Sequence, residues 1–155
     1  MMTLGDILSA DAVMAPLRVN GKKQALQELS ALAAALSGLN EREVFDALLQ
    51  RERLGSTGVG DGVAIPHGKL PGCKKIFGVF ARLDRAIDFD APDGLPVDLI
   101  FLLIAPETAG ADHLKALAAI ARALRSPHFA ARLRQTDDAG AVFALLAMGP
   151  VSNAA

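Results

Sequence analysis

The sequence predicts a single-domain α/β fold, built on a sheet of about five strands flanked by helices on both faces. Three observations lead there. Helical and strand-like patterns alternate along the chain, which favours a layered α/β architecture. The 155 residues amount to one domain, since domains run to roughly 100–200 residues. Leu99–Ala105 carries no polar side chain, as in a strand covered on both faces.

Each element has its own signal. Leu4–Leu8 reads as a short helical turn. Val13–Val19 is rich in β-formers but contains Pro16, which suits an edge or irregular strand. Asn20 is placed to cap a helix running to about Leu36, with Leu26, Leu29, Leu32 and Leu36 at helical spacing and Gly38 as the stop. Asn40 and Glu43 form a capping-box pattern before a second helix, Glu41–Arg53, with Val44, Phe45 and Leu48 inward. Gly55 to Gly62 holds four glycines in eight residues and reads as a loop. Val63–Pro66 reads as a short apolar strand ending at His67, and Gly68–Lys74 as a turn. Ile76–Leu83 alternates as a strand, and Ile87–Phe89 reads as a short strand or bulge. After Leu99–Ala105 comes a long helix, Ala111–Arg125, with Leu114, Leu117, Ala121 and Leu124 on one stripe. Ser126-Pro127 breaks it. Two shorter helices, His128–Arg134 and Asp138–Met148, close the chain, and the tail after Gly149 is expected to fray. The domain is assigned to 1–155, with its core at about 4–147.

Composition excludes several function classes. Apolar residues make up 52% and charged ones 21%, against disorder. Sixteen basic and 17 acidic residues leave a net charge of −1, so nothing attracts nucleic acid or an anionic membrane. The chain has no Trp and no Tyr, which leaves little for base stacking. Cys73 is the only cysteine; it can form no internal disulfide and supports no Cys-rich zinc site. Met1–Ala15 lacks a basic n-region, so no signal peptide is expected. No apolar run approaches a membrane span. A cytoplasmic protein without membrane insertion is expected.

The chemistry concentrates in Arg51–Leu70. A Walker A loop fails: five residues separate Gly62 from Gly68, and Leu70 follows Lys69 where Ser or Thr is needed. What remains is His67, between Pro66 and Gly68, at a strand end where α/β folds place their sites. Pro66 fixes φ, and Gly68 admits a ligand close to the backbone or allows a positive φ. A neutral imidazole has a free lone pair and is a competent nucleophile toward phosphorus. Alone, His67 reads more readily as the cap of a turn. His113 opens the long helix beyond the buried strand, where free N–H groups favour an anion. Alone, it reads as a partly exposed first-turn residue beside an Asp112 or Thr108 cap. If the two strands are parallel neighbours, His67 and His113 face each other across one cleft. Arg51 offers a bidentate fork for phosphate, or merely suits a helix C-terminus. Ser56 and Thr57 can donate to a phosphate, or close a turn. His128 reads as a surface residue. With Cys73 the three histidines match no metal-ligand spacing, so no metal and no cofactor are expected. Arg122, Arg125, Arg132 and Arg134 read as a solvated face.

In combination these residues resemble the enzyme IIA domains of the bacterial sugar phosphotransferase system, of the fructose/mannitol type, and most closely their nitrogen-related branch (EIIA-Ntr). The resemblance rests on Arg51-Glu52-Arg53, Gly55-Ser56-Thr57-Gly58, the stretch Gly62 to Lys69 through Pro66-His67-Gly68, and Asp112-His113-Leu114-Lys115. Weaker agreement covers Val97 to Pro106 and the helix start at Asn40–Phe45. The likeness spans about Leu4 to Ala147. It implies a mixed β-sheet flanked by helices. It implies a phosphocarrier rather than a turnover enzyme: His67 would accept a phosphoryl group, His113 would help hold it, and Arg51 would bind the phosphoryl group or its donor. The donor implied is an HPr-like phosphocarrier (NPr in the nitrogen branch), and the output is regulation of target proteins by phosphorylation state. A sugar-transport IIA passing phosphate to a IIB domain, and a non-catalytic anion-binding module, are the alternatives. Asp61 departs from the Asn or Glu more usual in relatives; a carboxylate near an incoming phosphate repels it and would tune the transfer. The expected step is in-line transfer between histidines, governed by positioning and charge. One ring nitrogen of His67 would donate to a backbone carbonyl while the other attacks. His113, Arg51 and loop N–H groups would hold the oxygens.

Overall fold

The computed structural model describes residues 3–150; the expectation for the tail beyond 150 lies outside the described residues. Six strands form one mixed sheet: β1 (Val13–Leu17), β2 (Gly58–Gly60), β3 (Val63–Ala64), β4 (His67–Leu70), β5 (Phe77–Ile87) and β6 (Val97–Pro106). The order is β1-β5-β6-β3-β2, with β4 also pairing β6. β1 lies parallel to β5, β5 antiparallel to β6, β3 and β4 both parallel to β6, and β2 antiparallel to β3. β3 and β4 are thus two segments of one line, interrupted at Ile65-Pro66.

The apolar run Leu99–Ala105 is the heart of the sheet. Each of its residues is 0% exposed, so both faces of β6 are covered, as a strand with no polar side chain requires. Pro16 sits in β1, an edge strand, where its missing N–H breaks no central ladder. Three expectations are corrected. Gly58–Gly60, read as loop, pairs as β2, and the turn expected over Gly68–Lys74 begins later, because His67–Leu70 completes the ladder with β6. The Ile87–Phe89 segment is not separate: β5 runs on to Ile87 through a register shift after Arg82.

The described residues form six helices, α1 (Leu4–Ile7), α2 (Lys22–Ser37), α3 (Glu41–Arg53), α4 (Ala111–Leu124), α5 (Pro127–Arg134) and α6 (Ala139–Met148), with a 3-10 turn at Ala10–Ala12. The Asn40 side chain accepts the Glu43 N–H at 3.0 Å and the Asp138 side chain accepts the Ala141 N–H at 2.8 Å, satisfying otherwise orphaned donors. Gly38 ends α2 in the left-handed region at φ 79°. The N-cap of α2 is Gly21 rather than Asn20; the Asn20 N–H instead donates to Gln24 Oε1 at 2.7 Å. α2 packs on β5, α3 over β4, α4 against β6 and α5, and α6 against β1 and α1.

The stripe of α4 is shifted by one position from the expected one. His113, Ala116, Ile120, Ala123 and Leu124 are buried, and Leu114 is 67% exposed. Alanines at 116 and 123 let the helix approach the sheet closely. The same rotation carries His113 inward. Among the described residues, no helix is long and apolar enough to cross a membrane.

Candidate functional site

His67 opens β4 opposite Leu103 of β6. Pro66 has no N–H to give, but its carbonyl accepts the Leu103 N–H at 2.9 Å, so the chain stays in register across the break. Ile65, just before it, donates its N–H to the Thr57 carbonyl at 3.0 Å. The carbonyl of Ile65 lies 2.8 Å from His67 Nδ1. A carbonyl only accepts, so the ring hydrogen sits on Nδ1 and the lone pair on Nε2. Nε2 in turn accepts from Arg51 Nε at 3.3 Å. Partial burial pushes the imidazole below its ordinary pKa of 6.5; the Ile65 hydrogen bond opposes this and the Arg51 charge adds to it. Burial and the Arg51 charge both favour the neutral ring, and the residue is partly exposed.

β6 leads through residues 107–110 into α4, which presents His113 in its first turn. The N-cap is Gly110, with no side-chain cap, so neither Asp112 nor Thr108 caps this helix. His113 is buried, 7% exposed, rather than partly exposed. Its ring centroid lies 5.6 Å from that of His67, at 55° between planes. The parallel pairing of β4 with β6 does bring both imidazoles to one place. Nδ1 of His113 is sealed without a hydrogen-bond partner, leaving Nε2 as the nitrogen able to meet a ligand. Burial lowers its pKa below 6.5, and the nearby His67 and Lys69 charges lower it further.

Arg51 reaches this pair from the last turn of α3. Its Nη1 donates to the Gly55 carbonyl at 2.9 Å, which pins the guanidinium while Nε faces His67. A hollow of about 500 Å³ opens on this side, lined by Ala47, Gln50, Arg51, Arg53, Leu54 and Lys69. A separate groove of about 460 Å³, between α1, the end of α2 and the β4–β5 turn, contains none of the candidate residues.

The other expected contacts fall differently. Ser56 Oγ donates to the Phe89 carbonyl at 2.7 Å and accepts the Gly58 N–H. Thr57 is buried, and its Oγ1 donates to Glu52 Oε2 at 2.6 Å. Both hydroxyls hold the loop instead of facing the histidines. Gly68 does not take a positive φ; it is extended backbone in β4, against Ala47 of α3. Asp61 does adopt φ 58°, with its N–H on Asp93 at 2.9 Å. Arg134 leaves the expected solvated face to pair with Asp98 at 2.9 Å and donate to the Asp61 carbonyl at 2.8 Å. His128 is exposed at the start of α5. Among the described residues, no three of His, Cys, Asp and Glu are grouped to hold a metal ion.

The residue passed over in the sequence is Glu52. Its side chain is 3% exposed and pairs with Lys22 at 3.2 Å. Lys22 also lies 4.8 Å above the Phe89 ring. The available signal was a glutamate in the last turn of a helix, where the dipole disfavours negative charge, five residues before a threonine.

The chain is similar to known proteins along nearly its whole length. The family model for the phosphoenolpyruvate-dependent sugar phosphotransferase system, EIIA 2, matches residues 6–148. A nitrogen regulatory protein of Bradyrhizobium diazoefficiens is 61% identical over 153 residues, covering 99% of this chain and 100% of that protein. The crystal structure of nitrogen regulatory protein IIA-Ntr from Neisseria meningitidis superposes with a TM-score of 0.87 at 40% identity, over 92% of this chain and 98% of that one. IIA mannitol from Escherichia coli, at 22% identity, shares the fold with a TM-score of 0.75 over 90% of this chain and 98% of that one. The chain belongs to the EIIA type 2 family of the phosphotransferase system, within its nitrogen-regulatory branch.

Proposed function

We propose that this protein is a phosphocarrier that takes a phosphoryl group onto Nε2 of His67 and regulates target proteins according to its phosphorylation state. The observation that carries the reading is the ring of His67. Its hydrogen is held on Nδ1 by Ile65, and its unprotonated Nε2 accepts a long hydrogen bond from Arg51, which can turn to the phosphoryl oxygens, beside a second imidazole.

The donor is an HPr-like phosphocarrier, NPr in this branch, itself phosphorylated on an imidazole. His67 Nε2 attacks phosphorus as the donor's P–N bond breaks, and the electron pair of that bond returns to the donor imidazole. Charge spreads over three equatorial oxygens, so catalysis is positioning and electrostatics. The Arg51 guanidinium and the Nε2–H of His113 are the groups to hold those oxygens. Burial disfavours the protonated form of both rings, which favours an unprotonated Nε2 on His67 before attack. The phosphoryl oxygens of the product carry nearly two negative charges at pH 7, one of them offset by the ring while Nδ1 keeps its hydrogen, and this dianionic group can recruit or reject a partner surface. A donor charged from phosphoenolpyruvate works in the cytoplasm, and the protein is assigned there with it.

The test is incubation with phosphoenolpyruvate, the first enzyme of the system and an HPr-like carrier, followed by mass spectrometry. One added phosphate, lost in His67→Ala, is expected. Undiminished labelling of that variant rejects the assignment. An unlabelled wild-type chain leaves an anion-binding module instead. Transfer onward to a IIB domain favours a sugar-transport role over regulation.

A further inference from the structure

A buried carboxylate is costly unless fully bonded, and one in the last turn of a helix also opposes the dipole. Glu52 is both, and its bonds are complete. Oε1 pairs with Lys22 Nζ at 3.2 Å and accepts the Thr57 N–H at 3.0 Å. Oε2 accepts the Thr57 hydroxyl at 2.6 Å. The chain of bonds continues. The Thr57 carbonyl takes the Ile65 N–H at 3.0 Å, and the Ile65 carbonyl takes the His67 Nδ1–H at 2.8 Å. The path from the carboxylate to the reacting ring is therefore unbroken and runs through two backbone units. Apolar packing would fill the same space at less cost, which points to a role beyond stability.

We infer that Glu52 is a positioning residue: with Lys22 and Thr57 it fixes the Ile65 carbonyl, and so holds His67 with its hydrogen on Nδ1 and its lone pair on Nε2. The inference rests on the phosphoacceptor role proposed for His67. Glu52 touches neither the ring nor the site of phosphoryl attachment; it acts through the loop.

The experiment is nitrogen NMR of the His67 ring, run beside single-turnover phosphoryl transfer, on the full chain. Glu52→Gln keeps the shape and an acceptor for Thr57 but loses the charge that faces Lys22. Thr57→Val keeps the shape and loses only the hydroxyl bond, so it carries the test should Glu52→Gln not fold. In the wild-type protein the Nδ1–H tautomer dominates. In Glu52→Gln the Nε2–H tautomer rises to a measurable share and the His67 pKa falls, since the Glu52 charge raises it. Transfer slows roughly ten- to a hundredfold, the scale on which a misplacement of about 1 Å acts. Thr57→Val shifts both readouts in the same direction by less. Adding Lys22→Met to Glu52→Gln removes a cation left with only the exposed Asp90 carboxylate, at 3.6 Å, and recovers stability without restoring the tautomer. A ring spectrum identical to wild type in both single variants overturns the inference, whether or not transfer slows. A wild-type chain that takes no phosphate defeats the reading of the reaction, while the ring spectra still decide the role of Glu52.

Discussion

Gly78 lies in β5 opposite Leu103, and nothing larger fits there. A Cβ built at this position would stand 2.3 Å from Cε1 and 2.8 Å from Cζ of Phe101. Carbon atoms pack best at about 3.5–4.0 Å, so the overlap exceeds about 1 Å. Relief is blocked on both sides. The Leu102 carbonyl would lie 3.2 Å from the same Cβ, so the strand cannot slide. Phe101 is 0% exposed and meets Phe80 edge-on at 6.2 Å, so its ring cannot swing out. Overpacking a core costs about 1–3 kcal/mol, and this geometry belongs at the upper end. The reduced entropy of an unfolded alanine offsets about 0.4–1 kcal/mol. Gly78→Ala should therefore destabilise by about 2 kcal/mol, lowering Tm by about 4–8 °C for a chain of this length. Urea unfolding followed by circular dichroism measures it, in a cycle with Phe101→Leu. The alanine should cost less than about 1 kcal/mol when Phe101→Leu is already present, because the ring is then gone. A loss within about 0.5 kcal/mol of zero, or the same loss with and without Phe101→Leu, refutes the steric argument.

Three further outcomes follow from the site. Arg51→Ala removes a charged donor, and transfer to His67 should slow about 10²-fold, with Arg51→Lys losing about tenfold because an ammonium lacks the fork that meets both Gly55 and the phosphoryl group; a rate within twofold of wild type in rapid-quench measurements contradicts this. His113→Gln should fold, keep a donor and slow transfer by less than His113→Ala; equal rates in both variants would remove the ring from the site. Burial depresses the pKa of both imidazoles in the folded state, whereas unfolded histidines titrate at about 6.5. The unfolded chain therefore binds more protons below that pH, and stability is lost as pH falls from about 6.5 through the lowered folded values. The urea midpoint measured between pH 7 and 5 should drop less steeply in His67→Gln; an unchanged slope shows that His67 does not contribute.

Much of this fold was legible because local signals and burial agree. Asn40 caps the helix it precedes, and the polar-free run at Leu99–Ala105 becomes the covered central strand. The misses occur where tertiary contact overrides local pattern. The α4 stripe was read from leucines, yet the buried face uses Ala116 and Ala123, which carry little hydrophobic signal, and it leaves Leu114 in solvent. Gly68–Leu70 was read as part of a turn that holds Pro71-Gly72, but its pairing is supplied by β6, over thirty residues away. At the site, the meeting of His67 and His113 follows from strand ends once the two strands are parallel neighbours, whereas Arg51 was tied to them only by the family resemblance. The use of Ser56 and Thr57 does not follow, since a hydroxyl after a glycine suits a loop clamp as well as a phosphate. Only the position of Glu52, between two arginines in sequence and beneath the loop in space, distinguishes the two. Gly78 has no sequence signal, because its reason is the Phe101 ring across the ladder.

The most direct measurement is of the atom that carries phosphorus. Nitrogen-labelled protein, loaded from phosphoenolpyruvate through an HPr-like carrier, should show phosphorus–nitrogen coupling at Nε2 of His67, with Nδ1 still protonated. Coupling at Nδ1, or phosphorus on His113 or His128 in its place, would contradict the chemistry assigned to this site.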